Sequence, residues 1–188
     1  MFERKGHGEF WDGALRVSVP FTGAGPLKRL KAGTKVLLSG TVYTARDAAH
    51  KRMVEALEKG EELPFPLDGQ VIYYAGPCPA PPGRVIGSLG PTTSGRIDVY
   101  APRLCAAGLK GMIGKGKRSK AVLRAIAKYG AVYFATIGGA GALLSEAVKE
   151  AELVAYPDLG PEAIYRLEIV DFPALIAVDP MGRDMYDR

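Results

Sequence analysis

The sequence predicts an α/β fold built on one mixed sheet or on more than one sheet. Three observations support this prediction. The second half of the chain alternates runs rich in β-branched residues with segments of helical spacing. The first half and the C-terminal tail are rich in strand signals. The chain has 188 residues, of which 47% are hydrophobic, so it can bury a core of its own. We therefore predict a single domain over residues 1–188, without internal repeats.

The predicted strands are runs of β-branched and aromatic residues that end at glycine or proline. In chain order they lie within 13–18, 31–45, 70–76, 84–88, 109–116, 131–139, 153–158 and 163–182. Two of these segments are expected to hold two strands each. A turn separates the first pair, in 31–45, and a proline-containing break separates the second pair, in 163–182. Four prolines in PCPAPPG, at 77–83, predict a stiff loop without regular structure.

Four segments have the features of helices. They are 45–60, a segment from about Ser94 to 108, 117–130 and 140–152. The first and third are the most regular, because their apolar residues recur on one face and each ends at a glycine, Gly60 and Gly130. Pro102 argues against a continuous helix in the later half of the second segment.

The charge favours an acidic ligand or partner. The net charge is +5 and the isoelectric point is near 9.2. The 25 lysines and arginines are spread along the chain, with one short cluster, KGKRSK, at 115–120. The N-terminal sequence is polar, and no apolar run approaches the ~20 residues that a membrane-spanning helix needs. We therefore expect a soluble, cytoplasmic protein that is not a membrane protein.

The two cysteines, Cys78 and Cys105, do not have the spacing of metal ligands. We interpret them as inert thiols of a cytosolic protein, with a disulfide between them as the alternative. The chain has only two histidines, His7 and His50, so a histidine-based metal site or a Ser-His-Asp triad has few candidates.

The stretch GPTTSGR, at 90–96, is a candidate anion-binding loop. Three consecutive hydroxyl side chains precede Arg96 near the predicted start of a helix, where backbone N–H groups are free. A guanidinium can bind a carboxylate or phosphate through two hydrogen bonds, and hydroxyl groups can satisfy the remaining oxygens. The simpler alternative is a hydroxyl-rich helix cap followed by an exposed arginine.

Three other motifs are weaker. GMIGKGKRS resembles a phosphate-binding P-loop but has Arg118 where Ser or Thr is needed, so a nucleotide hydrolase is disfavoured and an anion site or a solvated basic patch remains. IGGAGALLSEA, at 137–147, has Leu144 in place of the third glycine of a dinucleotide fingerprint, so tight strand–helix packing is favoured. In TARDAAHKR, Arg46 and His50 could face one site, or the segment could be a capped helix start with an exposed histidine.

Together, TARDAAHKR, YYAGPCPAPPGRVIGSLGPTTSGR, GMIGKGKRS and the tail AIYRLEIVDFPALIAVD closely resemble the β subunit of class I fumarate hydratase. The L-tartrate dehydratase β subunit is similar, and the resemblance extends from about residue 10 to 186. It implies a swivelling β/β/α domain with mixed sheets, so that residues 1–188 form a single domain of the fumarase/tartrate dehydratase β type.

The resemblance also implies the reaction, cofactor and partners. The reaction is the reversible hydration of fumarate to L-malate, at a site shared with an α subunit. That α subunit holds a [4Fe-4S] cluster, and one open iron of the cluster acts as a Lewis acid. This chain alone would bind no cofactor, and two αβ units would form a heterotetramer. A small dicarboxylate is the expected ligand, and nucleic acid is not.

The resemblance assigns roles to four residues. Arg46 and Arg96 match arginines that bind substrate carboxylates, and Lys115 matches a substrate-binding lysine. Thr92 matches a substrate-binding threonine that is proposed as the catalytic base or proton shuttle. Lys117 stands where many relatives have asparagine and is therefore not assigned.

Several alternatives stay open at this point. The substrate could be L-tartrate or another C4 acid, because a few contacts decide between such substrates. The chain could also be a non-catalytic basic module that binds an anion or nucleic acid through KGKRSK, or a subunit that has lost its activity. Binding to nucleic acid would depend steeply on salt concentration.

Overall fold

The computed structural model describes residues 9–23, 25–136 and 139–187. Within these residues the chain is a mixed α/β protein in which all seven strands belong to one sheet. The strands are β1 Leu15–Val19, β2 Lys35–Thr44, β3 Val71–Tyr73, β4 Gly111–Gly114, β5 Val132–Ala135, β6 Val148–Ala155 and β7 Ile164–Val178. The helices are α1 Asp47–Lys59, α2 Ala101–Ala106, α3 Lys120–Tyr129 and α4 Gly141–Glu146.

Five of the strands close into a barrel-like ring. The strand order is β1-β2-β3-β4-β5-β7-β6, and β2 also pairs with β7, which closes the ring through β2, β3, β4, β5 and β7. β1 to β5 pair with one another in parallel, whereas β7 is antiparallel to β2, β5 and β6. The prediction of a mixed α/β fold is thus confirmed, and the sheet is single.

The two longest strands, β2 and β7, are continuous where the sequence predicted interruptions. The expected turn in 31–45 is a bulge, at which the pairing of β2 with β7 shifts between Leu38 and Gly40. A β-carbon on Gly40 would lie only 1.9 Å from the carbonyl oxygen of Val19, so a larger residue cannot replace this glycine. The expected break in 163–182 is also absent, since Pro173 lies within β7 opposite Leu37.

Three shorter predictions were also wrong. The segment 84–88 is irregular and forms no strand. The helix predicted over 140–152 ends at Glu146, because residues from Val148 onward pair with β7 as strand β6. Pro102 occupies the first turn of α2, where a missing N–H costs no helical hydrogen bond, so that helix forms in the half that the proline was expected to disrupt.

Two clusters of buried side chains stabilise the fold. One contains residues from all five strands of the ring, and the other contains residues from α1, α2 and α3. Strand β3 contributes Val71 and Tyr73 to the first cluster and Ile72 to the second, as expected for a strand that is buried on both faces. Helices α1, α2 and α3 therefore cover one face of the sheet, whereas Leu144 of α4 belongs to the first cluster.

In the part of the chain that the structure describes, none of the helices has the length and apolar character needed to cross a membrane.

Candidate functional site

The residues singled out in the sequence meet at one edge of the sheet. Arg46 follows β2, the loop 90–96 lies beyond β3, and Lys115 follows β4. These three strands are adjacent and parallel, so their carboxyl ends lie side by side. The topology therefore brings together segments that are far apart in the sequence.

Backbone hydrogen bonds hold the loop 90–96 in place between β3 and β4. The amide of Thr92 donates to the carbonyl oxygen of Tyr74 at 2.7 Å, and Pro91 forms an isolated bridge with Ala75. On the other side, the amide of Ser94 donates to the carbonyl oxygen of Lys115 at 3.0 Å. The predicted helix at Ser94 is a short 3-10 turn, Ser94–Ile97. The loop is thus tied to both neighbouring strand ends.

Arg96 links the loop to the first turn of α1. Its Nη2 donates to Thr92 Oγ1 at 2.5 Å, and its Nε lies 3.4 Å from Asp47 Oδ1. Asp47 Oδ2 is buried, and among the described residues it has no hydrogen-bond partner. The guanidinium therefore lies between the carboxylate of Asp47 and the hydroxyl of Thr92.

Arg46 is oriented by a residue from a distant part of the chain. Its Nη2 lies 3.4 Å from Glu162 Oε1, and Glu162 Oε2 accepts a hydrogen bond from the amide of Ala48 at 2.8 Å. Glu162 thereby satisfies a free N–H in the first turn of α1. Arg46 Nε is buried and has no hydrogen-bond partner in the described structure, whereas the side chain as a whole is 29% exposed.

His50 does not face this edge, and it is not exposed either, so both sequence interpretations of this residue were wrong. Its side chain is fully buried and packs edge-on against Tyr74. Nδ1 lies 2.8 Å from the carbonyl oxygen of Arg46 and must therefore carry the proton. Burial lowers the pKa of His50 to about 4. The neutral ring thus donates a hydrogen bond to the backbone of Arg46.

The KGKRSK cluster is not a uniform basic patch. Arg118 is buried and forms an ion pair with Asp98, and the Lys117 ammonium lies 4.0 Å from Asp187. Lys115 is half-buried, and in the described ranges its ammonium group makes no ion pair or hydrogen bond. Helix α3 begins later than predicted, with Ser119 as its cap. Of the three, Lys115 is therefore the cation best able to bind a ligand at the strand ends.

The two cysteines lie in different environments. Cys78 is an exposed free thiol, whereas Cys105 is buried, and burial raises its pKa to about 11. A cluster ligand must be a thiolate, which burial disfavours at Cys105. Within 9–23, 25–136 and 139–187, no group of three or more His, Cys, Asp or Glu side chains is placed to hold a metal ion.

The described part of the glycine-rich stretch, 139–147, follows β5 and lies next to the loop 90–96. The amide of Leu89 donates a hydrogen bond to the carbonyl oxygen of Gly141 at 3.0 Å. Residues 137 and 138 lie outside the described residues. The contact with Leu89 fits a packing role for this stretch.

A cavity of the described structure lies elsewhere. It measures about 500 Å³ and includes Gly69, Lys110 and Gly130, which lie just before β3, β4 and β5. It is therefore at the opposite end of the parallel strands. The candidate site lies at the carboxyl ends of these strands, where the side chains of Arg46 and Arg96 are 29% and 53% exposed.

The geometry suits an anion with more than one carboxylate. The guanidinium of Arg96 contacts the hydroxyl of Thr92, and Arg46 and Lys115 follow the neighbouring strands β2 and β4. Charge-assisted hydrogen bonds from such cations stabilise carboxylates. Sequence analysis missed Asp47 and Glu162. Asp47 could have been suspected because it follows Arg46, but nothing in the sequence relates Glu162 to this edge.

Comparisons with known proteins point in one direction. The sequence model of a family described as Fumarase C-terminus matches residues 15–188. Fumarate hydratase 2 of Leishmania major is 43% identical over 164 residues, which are 86% of this chain and 29% of that protein. The aerobic class I fumarate hydratase of Escherichia coli strain K12 is also 43% identical, over 86% of this chain and 30% of that protein.

A third relative has a similar length to this chain. The putative L(+)-tartrate dehydratase subunit beta of Methanocaldococcus jannaschii is 41% identical over 168 residues, or 86% of each chain. By contrast, this chain spans about 30% of the length of the fumarate hydratases that it matches.

Proposed function

We propose that this chain, which belongs to the Fumarase C-terminus family, is the β-type part of an iron–sulfur hydro-lyase. The proposed reaction is the reversible addition of water to fumarate, giving L-malate. The observation that carries the proposal is the meeting of Arg46, Thr92, Arg96 and Lys115 at one edge of the sheet. The names of the relatives, fumarate hydratase and tartrate dehydratase, support a hydro-lyase.

Arg46, Arg96 and Lys115 would bind the two carboxylates of the substrate. The side chain of Arg46 is partly exposed, so a substrate carboxylate can reach its guanidinium. Arg96 is half-exposed, so a substrate can reach its guanidinium. Removal of a proton beside a carboxylate develops further negative charge, and cations positioned in advance stabilise such charge.

Thr92 would transfer the proton. Its oxygen accepts a hydrogen bond from Arg96, so its own proton is free to point toward the substrate. In hydration, hydroxide from water adds to one alkene carbon and Thr92 delivers its proton to the other. The proton released by water then returns to the Thr92 oxygen. A threonine hydroxyl is a weak acid, and the adjacent guanidinium lowers the free-energy cost of its alkoxide.

The remaining parts of the proposal concern the assembly. A separate α partner would hold the [4Fe-4S] cluster, in keeping with the spacing of Cys78 and Cys105, which is not that of cluster ligands. Two αβ units would form a cytoplasmic heterotetramer, and the present domain would swivel against its partner as a β/β/α unit. The open edge of the sheet would face that partner.

L-tartrate dehydration is the second candidate. The identity to the M. jannaschii subunit beta extends over 86% of both chains, which favours this alternative. Both reactions remove or add water next to a carboxylate, so the same cations would serve either substrate. Contacts from the partner would decide between the two acids.

The test is an anaerobic assay of this chain alone, of the iron–sulfur partner alone, and of the two together, with fumarate and with L-tartrate as substrates. Fumarate hydration only in the mixture is the expected result. Tartrate dehydration instead would change the substrate and keep the mechanism. Inactivity of a cluster-loaded, stably bound pair with both acids would overturn the proposal, and salt-dependent binding to nucleic acid would then support the basic-module alternative.

A further inference from the structure

A buried ion pair lies directly beneath the candidate site. The side chain of Arg118 has no exposed surface, and its Nε donates to Asp98 Oδ1 at 2.7 Å. The guanidinium carbon lies 5.3 Å from the ring centre of Tyr74 and 4.8 Å from that of Tyr133. Tyr74 directly follows β3, and Tyr133 lies within β5, the strand next to β4, so the charge is enclosed by the sheet that carries the site.

The two members of the pair belong to the two segments that carry the proposed ligand-binding residues. Asp98 comes two residues after Arg96, and Arg118 comes three residues after Lys115. Asp98 Oδ2 also accepts the amide of Ser119 at 2.5 Å, which ties the segment of Arg96 to the cap of α3.

Tyr133 connects the same two segments a second time. Its hydroxyl lies 2.9 Å from Ser94 Oγ and donates to the carbonyl oxygen of Gly116 at 2.9 Å. The hydroxyl proton is thus used on Gly116, and Ser94 must be the donor of the other hydrogen bond. The hydroxyl of Tyr133 therefore links Ser94 to Gly116.

We propose that the buried Arg118–Asp98 pair is a positioning element, which holds the segment of Thr92 and Arg96 against the segment of Lys115. The expected effect of the pair on catalysis rests on the function proposed above. The expected effect on the positions of the two segments does not depend on that function. Neither residue is assigned contact with the substrate.

The Arg118–Asp98 pair fixes the geometry of the two segments more than it stabilises the fold. A buried ion pair loses most of its Coulombic gain to desolvation, so it contributes little to the net free energy of folding. A planar guanidinium between two rings, with fixed hydrogen-bond directions, does restrict where its partners can lie. Groups that act on a substrate must be held within about 0.5 Å of their productive positions. A lysine at position 118 would keep the positive charge but would lose the planar group of N–H donors with fixed directions.

The first test needs neither the partner nor the substrate. Hydrogen exchange of the Thr92, Ser94 and Ser119 amides is measured in the wild-type chain and in Arg118→Lys, with Arg124→Lys, on the exposed face of α3, as the matched control. We expect exchange at Ser94 and Ser119 to rise about 10-fold or more in Arg118→Lys only. Unchanged exchange at both amides would overturn the proposal.

A second variant covers the case in which Arg118→Lys does not fold. Asp98→Asn keeps the size of the side chain but removes its charge, and it should raise exchange at the same amides. Wild-type exchange at Ser94 and Ser119 in a folded Asp98→Asn protein would also contradict the proposed role.

The catalytic consequence is tested in the assembled enzyme. Arg118→Lys should lower kcat about 10-fold or more and should have little further effect in the Arg96→Met background, since both changes would act through the same group. Wild-type kcat and KM in Arg118→Lys, or fully additive effects, would overturn the positioning role. Absence of activity in the wild-type assembly would instead refute the proposed function and leave the exchange result intact.

Discussion

Arg96 donates a hydrogen bond to the hydroxyl oxygen of Thr92 at 2.5 Å, from a position one short 3-10 turn later in the chain. The proposed carboxylate-binding group and the proposed proton-transfer group are therefore in direct contact. Asp47 lies on the other side of the same guanidinium. A change at Arg96 should consequently affect both binding of the acid and transfer of the proton.

Replacement of Arg96 by methionine should lower turnover of the assembled enzyme by at least about 100-fold, because one donor that stabilises developing negative charge is lost. The measurement is steady-state kinetics with fumarate, under anaerobic conditions. Arg124→Met is the control, since Arg124 is exposed on α3. Near-normal kinetics of Arg96→Met would refute the assignment of Arg96.

Thr92→Val should abolish exchange of the proton at the substrate carbon and leave assembly with the partner intact. Valine is similar in shape to threonine but has no hydroxyl group to carry the proton. Exchange is followed by NMR of malate in deuterated water, and Thr93→Val is the matched control because the Thr93 side chain is exposed. If exchange persists in Thr92→Val, another group moves the proton.

Lys115→Met should raise KM for the dicarboxylate about 10-fold or more, because a hydrogen bond to a charged group contributes about 1.5–3 kcal/mol. Lys117→Met should leave KM near the wild-type value, since the Lys117 ammonium lies near Asp187 and the ring of Tyr186. Steady-state kinetics of both variants measures this difference. Equal effects of the two changes would indicate a general charge effect and would contradict a specific role for Lys115.

Gly114→Ala should lower the free energy of unfolding by about 1–3 kcal/mol, as expected for overpacking of a buried position. A β-carbon there would lie 2.1 Å from Ser94 Oγ and 2.9 Å from a ring carbon of Tyr74. Gly95→Ala is the control, because a β-carbon on Gly95 would meet no atom within 4 Å. Urea unfolding of the isolated chain measures the free energy of unfolding of both variants. Equal values would show that the loop at Ser94 can move to accommodate the added carbon.

Buried His50 should make the protein less stable as the pH falls from about 6.5 to about 4. Its pKa is about 4 when folded and near 6.5 when unfolded, so the unfolded chain binds the additional proton in this range. Stability is therefore fully present above the unfolded pKa and is lost by at most about 3 kcal/mol on acidification.

The measurement for His50 is urea unfolding between pH 7 and pH 4, in the wild type and in His50→Gln, whose side chain cannot be protonated. The variant should show a weaker loss of stability on acidification. A His7→Gln variant controls for the other histidine of the chain. Parallel profiles of wild type and His50→Gln would contradict a buried neutral His50.

Much of the local structure could be predicted from the sequence alone. Helices α1 and α3 end at Gly60 and Gly130, as their apolar spacing and terminal glycines predicted. The hydroxyl groups and arginine of GPTTSGR indicated an anion site, and the resemblance to a family supplied Arg46, Thr92, Arg96 and Lys115. Such signals can be recognised because periodicity, caps and turns depend on residues that are a few positions apart.

Only the tertiary structure decided where these segments lie and what surrounds them. Strand β7 continues through Pro173 because it pairs with β2 along one edge and with β6 and β5 along the other. Glu162 orients Arg46, and Arg118 is a buried member of an ion pair, although its local sequence is typical of a solvated basic loop. The physical reason is that ladder hydrogen bonds, burial and charge pairing depend on partners that are distant in the chain, and closure of the sheet brings these partners together.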